Sequence, residues 1–130
     1  MRNSSTNLLE RELSGQVLDA AIEVHRLLGP GLLESAYRAC LARELRLRGL
    51  AVQTEVPIPL IYKDEQMGCG FRIDLLVNEL VVVELKAVEK LLPVHEAQLL
   101  TYLKLCRRRI GFLLNFNATR LMSGFRRLVI

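Results

Sequence analysis

The sequence is poor in aromatic residues and contains no tryptophan. Only 5% of its 130 residues are Phe, Tyr or Trp, whereas 51% are hydrophobic. Proteins that bind single strands by stacking every base need exposed aromatic side chains, so the composition argues against an aromatic stacking platform. The hydrophobic content excludes a disordered chain. The length predicts one domain over residues 1–130, of which residues 1–7 are expected to be a flexible N-terminal segment.

Cysteines are few and badly placed for cross-linking or zinc binding. Cys40, Cys69 and Cys106 are an odd number, widely spaced, without a C-x-x-C pair or a histidine at ligand spacing. We expect Cys69 to lie in a turn. The sequence also lacks an apolar run near the roughly 18 residues of a membrane helix, and its first residues do not resemble a signal peptide. These absences predict a cytoplasmic protein with no membrane partner.

Basic charge is concentrated at one end of the sequence. The net charge is +4, but residues 101–130 carry +7 and residues 1–100 carry −3. The excess favours a polyanionic partner, although weakly. Arg107, Arg108 and Arg109 are candidates for phosphate contacts beside a cleft. The alternative is a solvated helix end, where cations are favoured by the helix dipole.

Hydrophobic spacing predicts the order of elements. Apolar residues at three- and four-residue steps indicate a first helix before Gly29, a second over Leu32–Arg48 and a third over Val94–Cys106. The other periodic segments read as strands, which gives the order α-α-β-β-β-α-β-β. The predicted class is therefore α/β, with a mixed sheet flanked by helices.

Residues 52–77 carry the pattern of strands joined by a hairpin turn. Residues 52–60 alternate between apolar and polar positions, and Lys63–Gly68 is the expected hairpin turn. The strand over Phe71–Val77 is predicted to bury Phe71, together with the other odd-numbered residues, on one face.

Charged residues interrupt the most apolar strand of the sequence. Glu84 and Lys86 are two positions apart, so both project from the same face of the strand over residues 80–86. Burying either without a partner costs several kcal/mol. Asp74 on the preceding strand lies within reach, and two carboxylates beside a lysine can hold Mg²⁺ and act on a phosphate ester. The simpler alternative is a structural ion pair between Glu84 and Lys86.

Two other groups of polar residues accompany this pattern. Glu34 falls in the first turn of the second helix, where an acid is also favoured by the dipole alone. His95, Gln98 and Tyr102 share one face of the third helix, which indicates either a lined cleft or a solvated face.

Several motifs together resemble a known family. They are His25–Tyr37, which contains Gly31, Glu34 and Tyr37; Arg72–Asp74; Glu84–Glu89; His95–Leu103; and Gly111–Phe116. In this order they are similar to the GxxExxY family, a branch of the PD-(D/E)xK nuclease superfamily. The resemblance extends from about Val17 to Ile130.

The resemblance implies a restriction-endonuclease-like core and a metal-dependent nuclease. Asp74, Glu84 and the Leu85 carbonyl would hold Mg²⁺ or Mn²⁺, Glu34 would be an additional acid near the metal, and Lys86 would be the catalytic lysine. Gln98 and Tyr102 are similar to the Q-x-x-x-Y element of related nucleases, which positions the nucleic acid or the active-site lysine. With His95, they are the expected nucleic-acid-binding residues of the third helix.

The expected substrate is nucleic acid, with DNA favoured over RNA. Because so small a core has little surface to spare, we expect a homodimer or a partner protein. The alternative is a nucleic-acid-binding or assembly module that keeps the fold without turnover.

Overall fold

The computed structural model describes residues 4–68 and 70–130. Its helices are α1 (Ser4–Leu28), α2 (Glu34–Leu47) and α3 (Pro93–Cys106). Its strands are β1 (Val52–Pro57), β2 (Leu60–Tyr62), β3 (Glu65–Met67), β4 (Arg72–Val77), β5 (Val81–Lys86), β6 (Ile110–Asn115) and β7 (Phe125–Val129). Residues 1–3 and Cys69 lie outside the described residues. The turn expected at Cys69, and the first three residues of the flexible segment expected at residues 1–7, therefore lie outside them as well. From Ser4 onward the backbone is helical, so residues 4–7 belong to α1.

Five strands form one mixed sheet in the order β1-β4-β5-β6-β7. The β5–β6 pair is parallel, and the other neighbouring pairs are antiparallel. Helix α3 connects the two parallel strands, as a parallel pair requires a crossover. The predicted α/β class, with a mixed sheet flanked by helices, is confirmed.

The core has two layers, one on each face of the sheet. Helices α1 and α2 pack on one face through residues such as Val17 and Leu41, against Val83 and Phe112 of the sheet. Helix α3 covers the other face with Leu99 and Leu103, among others, against Val82 and Leu113. Strand β5 is therefore buried on both sides, which explains its nearly continuous run of aliphatic residues.

The predicted hairpin turn over Lys63–Gly68 is wrong in extent. Only Lys63 and Asp64 form the turn, and both have positive φ, at 48° and 70°. Two such residues give the tight turn that suits the twist of a hairpin. Residues 65–67 therefore pair with residues 60–62 as the separate β2–β3 hairpin. This short strand is exposed throughout, so it carries no alternation of buried and exposed positions that the sequence could reveal.

The predicted burial of Phe71 is also wrong. Phe71 precedes the first residue of β4 and is 36% exposed, whereas Ile73, Leu75 and Val77 are buried. Its ring lies 6.0 Å from the Tyr102 ring on α3. Ile73 and Leu76 belong to the cluster on the α3 side of the sheet, whereas Leu75 and Val77 belong to the cluster on the side of α1 and α2. The odd-numbered residues of β4 therefore do not share one buried face.

Four helices and strands begin or end at the same end of the sheet, which we call the site end. Strand β4 begins there, β5 ends there, and α3 starts a short loop later. Helix α2 also begins there, since its first turn lies near Glu84. In the described part of the chain, no helix combines the length and apolar character needed to cross a bilayer.

Candidate active site

Strands β4 and β5 separate at the site end of the sheet. Their paired residues run from Val77↔Val81 to Leu75↔Val83. Beyond that pair, backbone groups of the two strands form hydrogen bonds with side chains. The Asp74 N–H donates to Glu84 Oε1 at 2.9 Å, and the Leu85 N–H donates to Asp74 Oδ2 at 2.8 Å. The two carboxylates thus satisfy backbone groups that the opened ladder leaves unpaired, and they are held beside each other.

Glu84 is the most perturbed acid of this site. Its residue is only 6% exposed, and burial raises its pKa to about 8. After burial, the negative charge of Asp74 is the next largest cause of this raised pKa, and Glu34 adds a smaller contribution, whereas the Asp74 N–H and Lys86 partly offset the rise. A buried carboxylate next to a second one favours either a proton or a bound cation.

Lys86 is attached to α3 through a chain of hydrogen bonds. Its Nζ donates to Gln98 Oε1 at 3.2 Å, and Gln98 Nε2 donates to the Tyr102 hydroxyl at 3.0 Å. Burial raises the pKa of Tyr102 above its usual value of 10, and the charge of Glu84 adds to the shift. Tyr102 therefore stays a neutral hydroxyl that orients Gln98, which in turn fixes the lysine.

Glu34 enters the site as the first residue of α2. The preceding loop turns at Gly29 and Gly31, whose φ values of 67° and 104° suit glycine. The buried Tyr37 holds this loop, because its hydroxyl donates to the Gly29 carbonyl and accepts from the Leu32 N–H at 3.1 Å. Its ring stacks on Phe116, with centroids 4.7 Å apart. The Gly-x-x-Glu-x-x-Tyr spacing thus has a structural reason: the tyrosine fastens the loop that carries the acid.

Arg38 is a site residue that the sequence reasoning missed. It lies one helical turn after Glu34, and its guanidinium is 3.4 Å from both Asp74 Oδ1 and Glu55 Oε1. Glu55 stands in β1 with a φ of 50°, a left-handed conformation that is costly for a non-glycine residue. The i, i+4 spacing from Glu34 was the available signal, because such residues share a helix face.

Asn115 was missed as well. It is 3% exposed at the end of β6, next to Lys86 in the parallel register. Its amide donates to the Val88 carbonyl at 2.9 Å and accepts from the Val88 N–H at 3.1 Å. These bonds hold the loop that leaves the strand after Lys86. An amide at the end of a wholly apolar strand was the signal.

His95 and the arginine cluster lie apart from this network. His95 Nδ1 accepts from the Leu92 N–H at 2.9 Å, so it closes the first turn of α3. The arginines precede β6, whose first residue pairs with Val81, so they lie at the opposite end of β5 from Lys86. That separation is about 17 Å along the strand. Their contact with phosphates beside the cleft stays a prediction.

Two of these arginines are also paired with acids. Arg108 donates to Glu79 at 3.0 Å, and Arg109 lies 3.6 Å from Glu10.

The donor chemistry of the site suits a hard divalent cation. Mg²⁺ is commonly held by one or two carboxylates, with water and substrate phosphate completing its shell. Asp74 and Glu84 supply two carboxylates, held beside each other by hydrogen bonds to the opened strands. The described residues contain no group of three or more His, Cys, Asp or Glu side chains placed to hold a metal. Any such ion would therefore depend on these two carboxylates, on backbone oxygen and on the substrate.

The amino-acid sequence was compared with models of protein families. The model of the PD-(D/E)XK nuclease superfamily matches residues 11–128. Searches of curated proteins and of solved structures gave no match.

Proposed function

The chain belongs to the PD-(D/E)XK nuclease superfamily, and from this premise we propose that it is a divalent-metal-dependent nuclease. One observation carries the proposal. Asp74, Glu84 and Lys86 converge where β4 and β5 open, with Lys86 anchored to Gln98. Burying two acids side by side costs free energy that a bound cation would offset.

The proposed metal ligands are Asp74, Glu84 and the Leu85 carbonyl, with Glu34 nearby. In an extended strand, the N–H and C=O of one residue point to the same neighbour. Because the Leu85 N–H points to Asp74, the Leu85 carbonyl faces the same side. The Lys86 carbonyl instead accepts from the Phe116 N–H at 2.9 Å. When bound, Mg²⁺ or Mn²⁺ would supply charge neutralisation at the phosphate and a more acidic water.

Lys86 is the proposed catalytic lysine. Its ammonium would orient the attacking water and stabilise the negative charge that develops at phosphorus. Gln98 holds Nζ in one place, and Tyr102 holds Gln98, so the lysine needs little reorganisation. The remaining oxygens of Glu84 and Glu34 can accept protons as the water is deprotonated.

DNA is the proposed substrate, with RNA as the comparison. We also propose that the chain falls in the GxxExxY branch, on the spacing of Gly31, Glu34 and Tyr37. Self-association remains a prediction, and light scattering of the purified protein would test it.

The decisive assay offers DNA and RNA of one sequence with Mg²⁺, Mn²⁺ or EDTA. We expect metal-dependent cleavage that Lys86→Ala reduces by about 10²-fold or more, because a charge-stabilising donor is removed. Lys90→Ala is the matched control, since Lys90 is exposed in the following loop. Cleavage in EDTA, or equal activity of the Lys86 variant, would contradict the mechanism.

A further inference from the structure

A groove lies between the C-terminal half of α3 and the end of β1, outside the acidic site. Its volume is about 570 Å³, and Ile58, Ile73 and Leu76 are among its apolar lining residues. None of the described lining residues is Asp or Glu. The size is in the range of pockets for small ligands, roughly 300–1,000 Å³.

Two cations on the groove are free to meet an anion. Lys104 and Arg107 both line it and are exposed. Neither has a carboxylate within ion-pair distance among the described residues. Arg108, in contrast, is held by Glu79 and by the Cys106 carbonyl, each at 3.0 Å. The groove therefore combines an apolar surface with unneutralised positive charge.

Arg107 occupies an unfavourable backbone position. It ends α3 with a φ of 57°, the left-handed conformation in which helices most often place glycine. Any residue with a Cβ is less favourable there than glycine. Glycine would therefore suit the backbone at this position, where the structure instead places a cation on the groove.

The groove lies further along α3 and β4 than the candidate active site. Gln98, Tyr102 and Cys106 follow at four-residue steps on α3, so the face that holds Lys86 leads to the groove. On the sheet, Ile73 directly precedes Asp74. From Gln98 to Arg107 the helix rises about 14 Å, which spans roughly four nucleotides of a stacked strand.

We propose that this groove binds a single strand of nucleic acid that extends from the active site. Its phosphates contact Lys104 and Arg107, and its sugars and bases lie against the exposed apolar lining residues Pro57, Pro59 and Ile61. This inference rests on the proposed nuclease function for the direction of the strand. The contacts are sequence-independent, because they involve backbone charge and apolar surface only.

The test is the binding of a fluorescent single-stranded 12-mer, measured in EDTA so that cleavage plays no part. The variant Lys104→Gln with Arg107→Gly should bind about tenfold more weakly. Its slope of log affinity against log salt should fall by about 1.4, since two phosphate contacts are removed. Glycine suits the backbone at position 107, so the melting temperature should stay at or above that of the unchanged protein. Equal affinity and equal salt slope would overturn the proposal.

The matched control is Arg11→Gln with Arg43→Gln. Both residues are exposed on α1 and α2, which pack on the opposite face of the sheet, and the loss of charge is the same. This control should retain nearly full affinity. If it binds as weakly as the groove variant, net charge explains the effect and the groove is rejected. A polyglutamate peptide that binds as tightly as the 12-mer, with the same dependence on Lys104 and Arg107, would also reject a nucleic acid occupant.

A second measurement separates this inference from the nuclease proposal. Cleavage of bis(p-nitrophenyl) phosphate with Mn²⁺ needs no groove, so the groove variant should match the unchanged protein. Absence of all ester cleavage by the unchanged protein contradicts the nuclease, whereas weakened 12-mer binding by the variant still supports the groove. Normal cleavage with unaltered 12-mer binding contradicts the groove alone.

Discussion

Among the acids of the site, Glu84 is the one whose pKa burial changes most. Its carboxyl is buried beside Asp74, and its pKa is raised to about 8. Without a cation, folding therefore favours the protonated acid at neutral pH. Binding of a cation requires the ionised acid, so proton and metal compete for one group.

This competition predicts how stability depends on pH. A carboxyl whose pKa is higher in the folded state stabilises the fold below its unfolded pKa, near 4.5, and this contribution is lost as the pH rises towards 8. We expect the metal-free protein to become less stable across that window, as measured by urea unfolding. Glu84→Gln should flatten the dependence, because the amide does not titrate. Glu89→Gln, at an exposed position, is the control and should leave the slope unchanged. A slope that survives in Glu84→Gln would contradict the assignment.

Arg38 brings a positive charge to the same acidic site. Its guanidinium lies 3.4 Å from Asp74, so it attracts this acid and repels a bound cation. We expect Arg38→Met to tighten Mn²⁺ binding by about fivefold, or about 1 kcal/mol. Isothermal titration calorimetry measures the effect. Arg43→Met on the exposed part of the same helix should not change the affinity. Unchanged or weaker binding in the Arg38 variant would show that the guanidinium does not oppose the metal.

At the level of elements, the site depends on where strands end. Strands β4 and β5 stop pairing at Leu75↔Val83, which frees Asp74 and Glu84 to face a ligand. On the other side of β5, the parallel ladder continues to Lys86↔Asn115 and holds the lysine in register. The opening on one side and the support on the other give a site that is both accessible and rigid.

The loop after β5 should depend on Asn115. Asn115→Ala removes two hydrogen bonds to Val88 and leaves that backbone unsatisfied, so we expect a loss of about 1–3 kcal/mol in unfolding free energy. Amide exchange in residues 87–92 should accelerate more than exchange in β6. Asn117→Ala is the control, because Asn117 is exposed and its side chain reaches Val88 only at 3.4 Å. Uniform acceleration throughout the protein would indicate a general loss of stability instead.

For the whole molecule, acids and cations occupy different places. The acids Glu34, Asp74 and Glu84 meet at one end of the sheet, whereas Arg107 and Arg108 lie towards the other end of β5. The two regions are linked by α3, which runs back across the sheet between them. The excess positive charge of the C-terminal residues is therefore not a shell around the acidic site.

Binding of a cation at the acids should stabilise the entire fold. At a concentration 100 times its dissociation constant, Ca²⁺ or Mg²⁺ should raise the unfolding free energy by about 2.7 kcal/mol, because it binds only the folded site. Asp74→Asn should abolish this increase, as measured by thermal denaturation with and without EDTA. Asp64→Asn, in the exposed β2–β3 turn, should keep it. An assembly module without a metal site would show no increase in either protein, and that result would support the alternative function.

The sequence by itself determined the class of fold and predicted part of the candidate site. Burial demands periodic hydrophobic residues, and the two periods of helix and strand are local, so the main element order could be read directly. Glu84 and Lys86 were visible because charges rarely interrupt an apolar strand, and Asp74 because the preceding strand offers it within reach. Glu34 and Tyr37 were recognised by their spacing, although the spacing did not reveal that the tyrosine fastens the loop.

Only the tertiary structure decided which distant residues meet. Arg38 reaches Asp74, and Asn115 reaches Val88, only through chain folding, so the sequence pattern could not identify these partners. The tertiary structure also separated Arg107 from the acids, because parallel pairing of β5 and β6 puts their equivalent ends side by side. Proximity in the sequence suggested one charged cluster near the cleft. Strand direction, which is set by long-range pairing and not by local pattern, assigned the acids and these arginines to opposite ends of the sheet.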